Sequence, residues 1–281
     1  MRQKKIFMLN KRLGQHFLIN KKIVAEIIGA GELSKGNIVL EVGPGRGVLT
    51  EALAQKAKKV IAVEKDVGLV EYLKEKFSKY RNIEIVHDDI LKTDTKNYGL
   101  KTVDYKLIAN IPYYITSKFL RMFLSDKKLR PSLMVLMLQR EVAERIVAKD
   151  GKESLLSLSV KAYGKPEIIK IVKRGNFFPP PKVDSAIIKI TPTPLAFARG
   201  TPPYKGGETI PQFPPLTKGG REGVEQILSF ARKAFQQKRK MLRHSLGKNI
   251  PEKYQNKRPE ELKLEDWAVI YSSQSAKSPM L

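Results

Sequence analysis

Ile38-Val39-Leu40-Glu41-Val42-Gly43-Pro44-Gly45-Arg46-Gly47 is the stretch that decides the fold of this chain. A short apolar run ends on glycines at alternate positions, and Val48 to Ala57 follows with helical periodicity. A strand, a glycine turn and a helix in that order let a ligand approach the backbone closely at the carboxyl edge of a sheet. Downstream the alternation continues. Val60 to Val63 is apolar, Asp66 to Phe77 is an amphipathic helix, and Ile83 to Val86 and Lys106 to Ala109 are strands. Ile115 to Leu124 is a helix, Leu133 to Leu138 a strand, and Glu141 to Ala148 and Ser154 to Tyr163 are helices. Strands alternating with helices predict a mostly parallel sheet covered on both faces. Glu167 to Val172 and Val183 to Ile190 are β-branched runs with no helix between them, which predicts an antiparallel pair at the sheet edge.

Pro192 to Gly223 interrupts the pattern. Its 32 residues hold seven Pro and six Gly, and Pro202-Pro203-Tyr204-Lys205-Gly206-Gly207 is echoed by Pro214-Pro215-Leu216-Thr217-Lys218-Gly219-Gly220. The segment reads as a disordered insertion or linker over 192–223, following a first domain over 1–191. From Val224 the helical pattern returns: Ile227, Ala231, Ala234, Phe235 and Leu242 form one stripe, and Arg232, Gln236, Arg239 and Arg243 another. Residues 224–281 are expected to be a small all-α domain with a basic face.

Charge points to a polyanion. Lys and Arg number 53 against 28 Asp and Glu, a formal charge of +25. Met1 to Lys22 carries seven basic residues and no acid, and Ala231 to Arg243, which includes Lys238, six and none. A solvated lysine-rich face is the alternative. The chain has no cysteine, which excludes disulfides and zinc-cysteine sites, and its three histidines lack ligand spacing, so no metal is expected. No apolar stretch reaches about 18 residues and no signal core follows the basic start, so the expectation is a cytoplasmic protein that neither enters a membrane nor is secreted.

Two further features define the chemistry. Glu64 ends the second strand, where an acid accepts from both ribose hydroxyls of an adenosine-bearing cofactor. The third glycine comes one position too early for a dinucleotide cradle, so the pattern suits S-adenosylmethionine, which has no phosphate. Asp89 is placed to accept from the adenine amine, with Asp88 a rival and a helix N-cap the bland role for either. Glu41 is placed at the loop, with bracing of backbone amides as its bland role. Asn110-Ile111-Pro112-Tyr113 closes a later strand. An amide oxygen and the Ile111 carbonyl can grip the hydrogens of an exocyclic amine, Pro112 fixes the turn and removes a donor, and Tyr113 offers a ring to a base. Phe178 is either a second wall or plain core.

Leu13-Gly14-Gln15-His16-Phe17-Leu18, Glu41 to Gly47, Val63-Glu64, Asp88-Asp89, Asn110 to Tyr113, Gln139-Arg140-Glu141-Val142, Phe178-Pro179-Pro180-Pro181-Lys182-Val183-Asp184-Ser185 and Ala234 to Lys240 follow one another along the chain. In this the sequence resembles the ribosomal RNA adenine dimethyltransferase family, most closely its bacterial small-subunit branch. The resemblance implies a Rossmann-like α/β methyltransferase sheet with a small helical domain, S-adenosyl-L-methionine as cofactor, and dimethylation of the N6 of two adjacent adenines in the 3′-terminal hairpin of 16S rRNA. It implies cofactor contacts at His16, Leu18, Gly43, Glu64, Asp89 and Asn110; the glycine turn itself adds Gly45, and the basic run after Val224 offers Arg232, Lys238, Arg239 and Arg243 to RNA. The partner is then the immature small subunit, met by a monomer. His16 departs from the Asn that many relatives carry. A large-subunit resistance methylase and a non-catalytic nucleic-acid binder are the competing readings.

Overall fold

A computed structural model describes residues 16–92, 98–100, 104–126, 129–148, 151–193 and 220–275. Most of the basic start and of the 192–223 insertion lie outside the described residues. The chain runs β1 (Phe17–Leu18), α1 (Lys21–Ala30), β2 (Ile38–Val42), α2 (Val48–Lys56), β3 (Lys59–Glu64), α3 (Val67–Lys76), β4 (Ile83–His87), β5 (Tyr105–Asn110), α4 (Thr116–Ser125), β6 (Leu133–Gln139), α5 (Arg140–Ile146), α6 (Leu155–Lys161), β7 (Gly164–Val172), β8 (Phe177–Phe178), β9 (Ser185–Pro192), α7 (Gly220–Phe235), α8 (Leu242–Ser245), α9 (Glu252–Gln255) and α10 (Leu264–Ser275).

Seven strands form one sheet in the order β4-β3-β2-β5-β6-β9-β7. β2 pairs in parallel with β3 and β5, β3 with β4 and β5 with β6, whereas β9 runs antiparallel to β6. The inner parallel strands β2, β3, β5 and β6 are largely buried on both sides, so they consist mainly of apolar runs rather than alternations, whereas β4 at the edge exposes Glu84 and His87. Val39, Leu40, Val60, Leu107 and Ile108 are fully inaccessible, and each such side chain is worth about 1.5–3 kcal/mol on burial. The strand order reverses between β2 and β5, which opens a cleft beyond their carboxyl ends.

Local signals fix the helix starts. Asp66 caps α3 by accepting from the Leu69 amide at 3.1 Å, and Asn20 caps α1 by accepting from the Lys22 amide at 2.8 Å. Gly47 opens α2 at φ +74°, and a Cβ there would stand 2.6 Å from the Phe77 ring, so only glycine fits. Helix α1, absent from the elements expected of the sequence, inserts Ile23, Val24 and Ile27 into the core beside Leu49 and Leu53 of α2.

The chain divides into two compact units. Among the described residues, the first runs to Ala143 and takes in Pro166–Pro192, while the second joins Glu144–Lys165 to the residues from Thr193 onward. The helical unit therefore includes α6, a stretch expected in the sheet domain. Within this unit a Ser154–Ser157 capping box starts α6, and the Glu153 amide donates to the Glu260 carbonyl at 2.9 Å. Tyr163 donates to Glu225 of α7 at 2.9 Å. Trp267 of α10 is fully buried against the rings of Phe230 and Phe235.

Candidate active site

The carboxyl ends of β2, β3 and β5 enclose one cavity, lined by the glycine loop, Glu41, Glu64, Lys65 and the Asn110 to Tyr114 turn, with His16, Phe17 and Leu18 along one wall. The glycine loop is its floor. The Gly43 amide donates to the Val63 carbonyl at 2.9 Å, and Val42 of β2 lies opposite Ala109 of β5, so the loop and the Asn110 turn are neighbours by register. Gly45 adopts φ +58°, and a Cβ there would come within 2.9 Å of the Phe17 ring. The Arg46 guanidinium covers that ring at 4.9 Å. Neither Phe17 nor Arg46 was singled out in the sequence, although both lie inside the segments that carried the resemblance.

Glu64 stands at the end of β3 and is nearly buried. Its Oε1 accepts from the Lys65 and Asp66 amides at 2.9 and 3.0 Å, and its Oε2 from the Gly45 amide at 3.3 Å. Burial raises its carboxyl above the ordinary range and outweighs the pull of these three amides. Glu41 is 1% exposed and lines the same cavity, and no group within the protein bonds to its Oε2. Burial pushes its carboxyl up to about 8 against the pull of the neighbouring Thr50 hydroxyl, and the charge of Glu64 adds to the rise. A buried acid in the wall of a cavity, with one oxygen left without a close partner, suits a cationic ligand group, since such an atom is costly. The α-ammonium of an amino acid meets that need. With a second buried acid at the end of β3 and three glycines in the loop that leave its backbone open to a ligand, the residues present fit S-adenosyl-L-methionine.

Above the floor, the Asn110 side-chain nitrogen donates to the His16 carbonyl at 3.4 Å, so the amide oxygen is the atom left to accept. Pro112 sits at φ −58°. The Tyr113 hydroxyl shares a hydrogen bond with the Ser185 hydroxyl at 2.8 Å, and its ring stacks on that of His16 with centroids 6.4 Å apart. Burial raises the Tyr113 phenol. His16 Nδ1 donates to the Pro179 carbonyl at 2.8 Å, which engages the ring nitrogen in bracing the wall. Tyr114, 68% exposed at the mouth, carried no signal in the sequence.

Two expected residues stand apart from the cavity lining. Asp89 pairs with Lys65 at 3.0 Å and accepts from the Leu91 amide at 3.2 Å. Its burial alone would raise the carboxyl, but these partners hold it below the ordinary range. Its rival Asp88 is committed to the Tyr98 hydroxyl at 3.1 Å and the Asp89 amide at 2.7 Å. Phe178 is 53% exposed, so it is not core; it is the register partner of Phe17 in the two-stranded sheet of β1 and β8. In the helical unit, the basic stripe does not lie on one helix. Arg232 belongs to α7, Lys238 and Arg239 to the turn that follows it, and Arg243 to α8. All four are exposed, and Arg243 donates to the Asn256 side chain at 2.8 Å. Among the described residues no acid or histidine cluster suits a metal ion, and no helix is long and apolar enough to cross a membrane.

Residues 6–199 match the profile of the family described as ribosomal RNA adenine dimethylase. A ribosomal RNA small subunit methyltransferase A of Dehalococcoides mccartyi is 45% identical over 242 residues, spanning 85% of this chain and 75% of that protein. Its counterpart in Halothermothrix orenii is 38% identical over 247 residues, 86% of this chain and 75% of that protein. Among solved structures, a dimethyladenosine transferase from Plasmodium falciparum superposes with a TM-score of 0.71 at 28% identity, over 92% of this chain and 98% of that one. The 23S rRNA methyltransferase ErmE does so with a TM-score of 0.68 at 25% identity, over 92% and 99%. With a glycine loop, a buried acid at a strand end and an Asn-Ile-Pro-Tyr turn in one cavity, and with relatives that match across most of its length, the chain belongs to the ribosomal RNA adenine dimethylase family.

Proposed function

We propose that this protein methylates N6 of two adjacent adenines, to the dimethyl state, in the 3′-terminal hairpin of 16S rRNA during small-subunit assembly in the cytoplasm, acting as a monomer. One observation carries the reading: the Asn110 amide and the Tyr113 ring share a cavity with the glycine loop and Glu64. S-adenosyl-L-methionine, when bound, supplies a methyl group activated by its sulfonium. Glu64 would receive its ribose hydroxyls, Glu41 its ammonium, and the backbone of the Gly43–Gly47 loop its methionine part. Asp89, which stands outside the cavity lining and shares its carboxylate with Lys65, would accept from the cofactor's adenine amine.

The protein's task is to make a poor nucleophile ready. The lone pair of adenine N6 is conjugated with the ring, and acceptors on both N–H hydrogens favour the pyramidal nitrogen. The Asn110 Oδ1 and the Ile111 carbonyl are those acceptors. Tyr113 stacks on the extruded base, and Phe178 supplies a second apolar surface. No strong base is required, because the methylated ammonium is acidic enough to lose its proton to water. Arg232, Lys238, Arg239 and Arg243 hold RNA phosphates from the helical unit.

Two relatives bearing the small-subunit name, at 45% and 38% identity, favour that substrate over large-subunit rRNA. Small subunits from a strain lacking this modification, incubated with the protein and labelled cofactor, are expected to gain label in the 3′-terminal 16S hairpin. Label confined to 23S rRNA, or none at all, overturns the reading.

A further inference from the structure

Two aromatic side chains assigned to the base, Tyr113 and Phe178, come from segments far apart in sequence, and neighbouring residues hold both. Ser185, fully buried at the start of β9, bonds the Tyr113 hydroxyl at 2.8 Å. Asp184, directly before it, accepts from the Lys173 ammonium at 2.9 Å and from the Arg174 amide at 3.1 Å. These bonds fasten the turn at Arg174–Asn176, which leads without a break into Phe177–Phe178. The Asp184 carbonyl accepts from the Arg140 amide at 2.9 Å, and Ser185 lies opposite Gln139 of β6, so the dipeptide is itself anchored to the sheet.

A ring that stacks on a base has one soft coordinate, rotation and sway about its own side-chain torsions, and a hydrogen bond at the far end of the phenol removes it. We propose that Ser185 is a positioning residue for methyl transfer, fixing through the Tyr113 hydroxyl the plane on which the target adenine lies while Asp184 fixes the turn that delivers Phe178. This rests on the function proposed above. Ser185 touches neither cofactor nor base; it acts through Tyr113. A small misplacement of the base relative to the donor methyl is costly, because the transfer needs a near-attack geometry.

The test is a cycle of Ser185→Ala, Tyr113→Phe and the double variant in single-turnover transfer to under-modified small subunits. Each single variant deletes the same hydrogen bond from one side, so each is expected to slow transfer by about five- to tenfold. The double variant is expected to be no slower than the slower single one. Cofactor dissociation constants, measured by calorimetry on the same preparations, stay within about twofold of wild type and show that the cavity is intact. A wild-type rate in either single variant, or losses that multiply in the double variant, overturns the proposal. If the wild-type protein labels no rRNA, the functional reading falls and takes this one with it. An active wild type beside unaffected variants removes Ser185 alone.

Discussion

The Glu64 carboxylate accepts the Gly45 amide at 3.3 Å, which ties the end of β3 to the middle of the glycine loop. The acid proposed to hold the ribose thus also ties down the loop proposed to lie against the cofactor. Glu64→Ala is therefore expected to weaken cofactor binding by about 1.5–3 kcal/mol, the scale for a charged hydrogen-bond partner. Calorimetry checks this, and an unchanged dissociation constant removes the ribose assignment. Circular dichroism should still report the folded sheet.

Glu41 makes stability depend on pH. Its carboxyl stands at about 8 in the folded protein against 4.5 ordinarily. The folded state therefore keeps a proton that the unfolded chain releases between these values. Its stabilising contribution is fully present below pH 4.5 and is lost as pH rises through 8. Glu41→Gln removes this dependence. In the cofactor-free protein, the difference between variant and wild-type unfolding midpoints should grow in the variant's favour from about pH 5 to about pH 9. Parallel pH profiles in scanning calorimetry contradict it.

Asn110→Ala is expected to slow methyl transfer by about two to three orders of magnitude, the scale for one preorganised polar group that acts mainly in the transition state. RNA affinity should barely change, since stacking and phosphate contacts hold the base. Tyr113→Ala should instead impair both binding of the extruded base and turnover. Single-turnover rates beside filter-binding affinities separate the two patterns, and a near-normal rate for Asn110→Ala takes this residue out of the mechanism.

Charge reversal at Lys238 and Arg239 should weaken binding to a small-subunit rRNA fragment and flatten its salt dependence, by about one unit of slope for each phosphate that is no longer neutralised. Cofactor affinity should not move. Arg243 is the less informative target, because its guanidinium also donates to Asn256 within the helical unit. An unchanged affinity and slope would make the turn after α7 a solvated surface only.

How far the sequence could be read followed from how local each signal was. The expected span from Asp66 to Phe77 has its cap residues where the structure has them, because an N-cap is a contact between residues three apart. Glu64 is legible from the strand it ends and Asn110 from the Asn-Ile-Pro-Tyr turn that closes another, and the cavity holds both. What escaped depends on long-range pairing. Nothing near Phe17 announces Phe178 as its partner, and nothing near Tyr113 announces Ser185. The basic stripe failed for a different reason. Helical periodicity was extended from Ala231 through Arg243, yet α7 ends at Phe235 and a turn intervenes before α8. Helix α1 was legible in principle, since Asn20 precedes Ile23, Val24 and Ile27 at helical spacing.

The pairing of β1 with β8 also governs when the molecule becomes competent during its own synthesis. Strands β2 to β6 can assemble in parallel as they emerge, each beside a neighbour already made. Phe17 must wait until Phe178 has left the ribosome before its strand has a partner. Sequence-distant pairings of this kind form late and slowly. A nascent chain stopped before β8 thus has the glycine loop and Glu64 but lacks the strand that seats Phe17 over Gly45, and the cavity is finished only when the first described strand meets one of the last.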